Sequence, residues 1–253
     1  MRFTPCLECF FKKESPEERI VRFKKIGFRA FEMWGWWDKD LNALEKSIRS
    51  NGLPLVSLVQ PFVSLVDPAL RGEYLAKLDE TIEAAKKLGA VKIISQTGRE
   101  LPGVAHDEAR EFLIETLRQG SKKLEKAGVT LIIEPINTIE MPGYFLTRSS
   151  DAFHICQKVA SPNVKFVFDI YHQQIMEGNL SENIRRTLPE IAHFHFADHP
   201  GRHEPGTGEI NLANVFRAIE KAGYSGDMGI ELFPSHEDHE KILRDILLLE
   251  TIT

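Results

Sequence analysis

This 253-residue chain is short of the features that mark a disulfide scaffold, a membrane protein or a nucleic-acid binder. It has only three cysteines, Cys6, Cys9 and Cys156. So low and odd a count does not describe a disulfide framework. Cys6 and Cys9 form a lone C-x-x-C, but no second pair or neighbouring His cluster completes a zinc site. They are therefore read as small apolar residues at a strand end. No apolar run approaches the roughly 20 residues of a membrane-spanning helix. Basic residues (32) are outnumbered by acidic ones (37), which leaves no basic stripe for nucleic acid. No G-x-G-x-x-G follows the first strand candidate, so the commonest dinucleotide-binding signature is missing. The opening Met-Arg-Phe-Thr-Pro-Cys lacks the basic-then-apolar layout of a signal peptide. The expectation is a cytoplasmic protein with no membrane partner.

What the chain does have is a rhythm. Short β-branched or aromatic runs at 2–6, 29–34, 54–59, 91–96, 129–134, 164–169, 192–197 and 228–232 read as strands. Amphipathic, charge-laced stretches lie between them, clearest at 74–88 and 108–127, with apolar residues three and four apart. Gly follows a Lys-rich last turn in "KKIGF", "KKLGA" and "EKAGV", as helix C-termini favour. Alternating strands and helices imply a parallel sheet with helical crossovers. Eight such units match an α/β fold of the (β/α)8 TIM-barrel type; an open doubly wound sheet is the rival. With no linker or low-complexity tract, a single domain over 1–253 is expected.

In such a barrel the active face is built from the C-terminal ends of the strands. The fifth candidate strand ends in Glu134 and the sixth in Asp169. The seventh, "AHFHFADH", puts His193 and His195 on one face, and the eighth carries Glu231. Each has an ordinary explanation taken singly: an exposed strand end, a helix cap, a hydrogen-bonded core histidine. Together they converge on one axis, where three carboxylates without a cation would repel one another. A divalent cation resolves the conflict. Three carboxylates and one imidazole, with no thiolate, suit Mn2+, Mg2+ or Co2+ better than a structural Zn2+ site. An ion with open positions would chelate an α-hydroxycarbonyl compound, polarise its carbonyl and acidify the adjacent C–H. A carboxylate beside that carbon would act as base.

The segments "IIEPIN", "FDIYHQQIMEG", "HFHFADHPGRHEPGTGEIN" and "YSGDMGIEL" together resemble the xylose-isomerase-like TIM-barrel sugar isomerases and epimerases, over nearly the whole chain. The resemblance implies one divalent metal, Mn2+ first, held by Glu134, Asp169, His195 and Glu231. It implies Glu134 and Glu231 as the acid/base pair, and Glu140, His172 and Arg202 as substrate contacts, Arg202 one residue later than the epimerase pattern. The order and spacing of the four ligands resemble the ketose 3-epimerase branch, which has His at the position of His195. The loop "DHPGRHEPGTGEIN" resembles the hydroxypyruvate isomerases, which typically have Gln there. The expected activity is therefore 3-epimerisation of a keto sugar or keto-sugar acid. Aldose–ketose isomerisation, as of hydroxypyruvate, is the alternative; both run through an enediolate. A phosphodiester hydrolase on the same barrel would need a larger His-rich cluster and a basic surface. A catalytically silent binding protein would not need both glutamates. The partner expected is a small sugar or sugar acid, and the chain is expected to form a homodimer or homotetramer.

Outside that set, Trp34, Trp36 and Trp37 are read as pocket lining or packing residues, and Glu32 as a strand-end group able to reach the pocket. Residues 60–68 read as a lid or a fixed wall. His199 and His203 read as exposed loop residues, and "PGTG" as a turn.

Overall fold

In a computed structural model, residues 1–250 are described; 251–253, the end of the expected domain span, lie outside the described residues. The parallel strands are β1 (Arg2–Pro5), β2 (Ser57–Val59), β3 (Lys92–Ser95), β4 (Thr130–Ile133), β5 (Val164–Asp169), β6 (Ile191–Phe196) and β7 (Asp227–Ile230). Their order in the sheet is β1-β7-β6-β5-β4-β3-β2. The crossovers are helical: α1 (Pro16–Ile26), α2 (Leu41–Asn51), α3 (Arg71–Leu88), α4 (His106–Ala127), α5 (Ser149–Val159), α6 (Ile170–Met176), α7 (Leu180–Thr187), α8 (Leu212–Lys221) and α9 (His239–Leu249).

The expected strand at 29–34 is present only as isolated bridges, Cys6 to Glu32 and Phe31 to Leu55. It nevertheless closes the barrel. Glu32 N–H donates to Pro5 O, and Leu7 N–H donates back to Glu32 O, on the β1 side. On the β2 side Phe31 N–H donates to Pro54 O and Met33 N–H to Ser57 O. The ladder breaks because Pro5 has no N–H to return on the β1 side, while on the β2 side the register slips: Val56 N–H donates to Phe31 O, but Met33 N–H reaches Ser57 O. The expected helices at 74–88 and 108–127 begin earlier, at Arg71 and His106. The added residues, 71–73 and 106–107, are not apolar and so fall outside the periodic pattern; α4 carries Asp107 and Glu108 in its first turn, where the helix dipole favours acidic side chains.

Strand alternation divides the apolar residues into two sets. Leu131, Ile133, Phe166, Phe168, Phe194 and Phe196 belong to the large core between sheet and helices. Ile94, Ile132 and Val167, with Val59 and Ala192, form a separate cluster. Pairing places Ile133 beside Phe166, Asp169 beside His195, and His195 beside Gly229. The polar strand ends therefore sit in one tier at one rim.

The loop after β6 is tied down by Asp198. Its Oδ1 accepts from the amides of His199 (2.9 Å) and Ile210 (3.0 Å), and its Oδ2 from Gly206 (2.8 Å). A Cβ on Gly208 would lie 2.2 Å from His199 O, so the loop closes only with glycine there. Asp198 is fully buried, and removing it strands three amide donors. Asp198→Ala is expected to cost about 3 kcal/mol of stability, read as a lower urea midpoint with an unchanged slope.

Candidate metal centre and active site

Glu134, Asp169, His195 and Glu231 all sit at the same rim, are buried, and offer donor atoms within 4.8 Å of one another. Glu134 follows β4 and is fixed through its amide, which donates to Ser95 O on β3. Asp169 ends β5 and does two jobs. Its Oδ1 caps α6, accepting from Tyr171 N (2.8 Å) and His172 N (3.3 Å). Its Oδ2 has no hydrogen bond and is left for the cluster. The helix cap and the inward-facing donor are thus the same side chain.

His195 Nδ1 lies 3.2 Å from Glu231 Oε2 and 3.6 Å from Glu134 Oε1. Glu134 Oε1, Asp169 Oδ2 and both ring nitrogens of His195 are among the buried polar atoms of the described residues that have no hydrogen-bond partner. Buried polar atoms are ordinarily satisfied, so converging orphans of this kind fit a cation.

The two glutamates differ in their surroundings. Burial raises Glu134 above the usual carboxylate range, with the charge of Glu231 adding to it and His195 opposing. Burial acts the same way on Glu231, but Arg202 and His195 outweigh it and hold Glu231 well below that range. Both Glu231 oxygens are engaged: Trp34 Nε1–H donates to Oε1 (2.5 Å) and Arg202 Nη2–H to Oε2 (2.6 Å). Burial disfavours the charge on His195, yet Glu32 and Glu231 raise it well above an ordinary imidazole.

Arg202 reaches the cluster from the loop after β6, in a left-handed conformation (φ 58°). Its guanidinium also lies 3.2 Å from Glu140 and 3.5 Å from Asp169. It packs over the rings of Tyr171 and Phe233. Glu140 accepts a 2.6 Å hydrogen bond from Tyr171 Oη. His172 faces Asp169, with Nε2 3.5 Å from Oδ2. A cavity of about 540 Å³ opens onto Glu134, Glu140, His172, Arg202 and Glu231. Five of the seven sequence-derived residues therefore line one cavity, and Asp169 and His195 join it through the cluster they share with Glu134 and Glu231.

Sequence reasoning passed over Asn137. Its Oδ1 accepts from the amides of Ile139 (3.0 Å) and Glu140 (2.8 Å), which fixes the amide's orientation. Its Nδ2 must then donate to His172 Nδ1 (2.7 Å). A neutral His172 so held carries its proton on Nε2, the nitrogen nearer Asp169. "IIEPIN" contains the signal: an Asn just past the strand, where Asx turns form. Trp34 is more than lining, because its indole holds Glu231. Trp37 is exposed, and with Phe62, Ile139 and Phe233 adds to the exposed apolar residues. Residues 60–68 are tethered where Leu65 N–H donates to Thr97 O, and Phe62 lines the cavity. His199 and His203, expected to be exposed, are half-buried: His199 packs near Tyr171, and His203 Nδ1 lies 2.6 Å from Phe233 O. Cys6 and Cys9 are free and buried in the core. No helix among the described residues is long and apolar enough to cross a membrane.

The chain resembles known proteins over nearly its full length. Hydroxypyruvate isomerase of Escherichia coli is 32% identical over 243 residues, 92% of this chain and 94% of that protein. 2-oxo-tetronate isomerase of Cupriavidus necator is 30% identical over 243 residues, 92% of this chain and 93% of that one. Among solved structures, a family 2 AP endonuclease from Brucella melitensis matches with a TM-score of 0.93 at 28% identity, over 98% of each chain. D-psicose 3-epimerase from Clostridium cellulolyticum H10 matches with a TM-score of 0.81 at 22% identity, over 100% of this chain and 95% of that one. The last likeness speaks for the fold alone. A model of the xylose isomerase-like TIM barrel family matches residues 20–252. With the barrel and the strand-end cluster already in place, these matches make the chain a member of the xylose isomerase-like TIM barrel family.

Proposed function

We propose that this protein is an aldose–ketose isomerase of a short hydroxy-keto acid, of the kind that interconverts hydroxypyruvate and tartronate semialdehyde. The observation that carries the reading is the unequal state of the two glutamates. A 3-epimerase needs two proton-transfer groups on opposite faces of one carbon. An aldose–ketose isomerase needs one base that moves a proton between adjacent carbons. Both Glu231 oxygens are hydrogen-bonded, to Trp34 and Arg202, whereas Glu134 keeps an unbonded oxygen. The isomerase relatives favour the same reading over the epimerase expected from the order of ligands. Inversion at C3 stays as the second reading because both glutamates line the cavity.

Glu134, Asp169, His195 and Glu231 would hold the cation, and their hard donor set favours Mn2+. A divalent ion held there would polarise the substrate carbonyl and make the neighbouring C–H more acidic. Glu134 takes that proton and returns it to the adjacent carbon. His172, held by Asn137 with its proton on Nε2, donates to a substrate oxygen and serves the accompanying O–H proton shift. Arg202 faces the substrate carboxylate, and Lys39, paired with Glu8 and Asp38, also lines the cavity. Glu140 binds a hydroxyl.

Hydroxypyruvate in deuterated water is expected to give tartronate semialdehyde by NMR. No turnover of it, with C3 inversion of a ketose instead, selects the epimerase. At saturating Mn2+, Glu134→Gln is expected to slow exchange of the substrate C–H with solvent by about 10³-fold, while Glu231→Gln leaves exchange measurable. Equal losses in the two variants point to the two-base reaction. Chelation is expected to abolish turnover and Mn2+ to restore it, with full activity in rigorously metal-free protein as the contrary result.

A further inference from the structure

Glu32 is nearly inaccessible in the barrel interior and touches none of the cavity (2% exposed). A carboxylate in such a place is costly unless it is paired and hydrogen-bonded. Two neighbours hydrogen-bond it, and the ring of His195, whose Nε2 has no hydrogen-bond partner, lies at ion-pair distance. His193 Nε2 lies 2.9 Å from its Oε2, and Ser57 Oγ–H donates to the same oxygen at 3.3 Å. The other oxygen, Oε1, lies 3.5 Å from His195 Nε2. His195 therefore presents one ring nitrogen to Glu32 and the other, Nδ1, to Glu134 and Glu231.

Two further features belong to the same arrangement. A Cβ on Gly229 would sit 2.2 Å from Glu32 Oε1 and 2.6 Å from His195 Cδ2. This glycine has no left-handed backbone to explain it, since it is not among the positive-φ glycines. Its missing side chain is the space in which Glu32 and His195 meet. The backbone of Glu32 is also pinned to β1, by donation from its amide to Pro5 O and from Leu7 N–H to its carbonyl. The barrel-closing segment thus delivers a carboxylate to the back of the histidine.

We propose that Glu32 is a positioning residue for the cation site: held by His193 and Ser57, in space left by Gly229, it fixes the His195 ring with its proton on Nε2 and its Nδ1 lone pair facing Glu134, Asp169 and Glu231. This rests on the cation reading of that cluster. The physical reason is that an imidazole ligates through one nitrogen only when the other carries the proton, and an acceptor behind it sets both ring angle and basicity. Glu32, His193 and His195 are also close enough to hold an ion of their own, so the number of bound ions separates the two roles.

The test uses the full chain and Mn2+ alone, titrated calorimetrically into metal-free protein. Wild type is expected to bind one Mn2+ per chain. Glu32→Gln, which keeps the shape and removes the charge, is expected to weaken binding about 10- to 100-fold, without a matching loss of thermal stability in the metal-free state. Unchanged Mn2+ affinity in Glu32→Gln overturns the proposal. So does a second Mn2+ that disappears in His193→Ala, because Glu32 and His193 would then be ligands. Should Glu32→Gln not fold, 15N NMR of His-labelled wild type loaded with diamagnetic Mg2+ reads the ring directly. A proton on Nε2 is expected, and a neutral ring protonated at Nδ1 overturns the assignment. A wild type that binds neither Mn2+ nor Mg2+ would remove the cation reading, whereas binding that is indifferent to Glu32→Gln would remove only the role of Glu32.

Discussion

Like-charge repulsion at the top of the barrel is the constraint around which the rest is arranged. Three buried carboxylates share donor distance with one imidazole. Such a group is stable only if positive charge is supplied and each remaining oxygen has a partner. The chain supplies part of it. Arg202 lies against Glu231, Asp169 and Glu140, and His195 sits among the carboxylates with its affinity for a proton raised. Arg202, in a left-handed conformation, stands in the loop that Asp198 ties down through the amides of His199, Gly206 and Ile210. The orphaned oxygens that remain are the places where a cation would complete the balance.

The polar tier continues below the rim. Glu32, brought to about 2 because His195 and His193 outweigh the burial that opposes its charge, is a second anion beneath the first group. His193 is pushed down to about 4, chiefly by burial, with Lys92 adding to the effect. A buried anion, a histidine whose charged form is disfavoured and a second histidine whose charged form is favoured thus alternate along the inner faces of the closing segment and β6. Hydrophobic packing keeps this tier dry. Ile94, Ile132 and Val167 cluster among the inward-facing side chains, while the Phe-rich core locks the strands to the helices from outside. In such surroundings small differences in partners become large differences in proton affinity, which is how two glutamates a few ångströms from one histidine come to differ.

Much of this was legible in the chain itself. Strand alternation and helical periodicity are local, so they named the parallel sheet, the helical crossovers and the strand ends that carry Glu134, Asp169, His195 and Glu231. Alternation also put His193 and His195 on one face, because side-chain direction in a strand repeats every two residues. The broken pairing of 29–34 was harder to see, since it depends on which neighbour lacks an amide proton and where the register slips. Asn137, Trp34 and Glu32 were visible as residues, but their targets lie 35, 197 and 161 positions away, and no local pattern encodes such partners.

The sequence by itself determined the α/β class and the donor types available at the strand ends, because periodicity and residue chemistry are properties of the chain in isolation. Tertiary structure alone decided which glutamate is tied down and which keeps an open oxygen, and which nitrogen of His195 faces Glu134 and Glu231 rather than Glu32. It also gave Gly229 its purpose. Those outcomes depend on distances of 2.5 to 3.6 Å between residues on different strands, and such distances exist only once the barrel has closed.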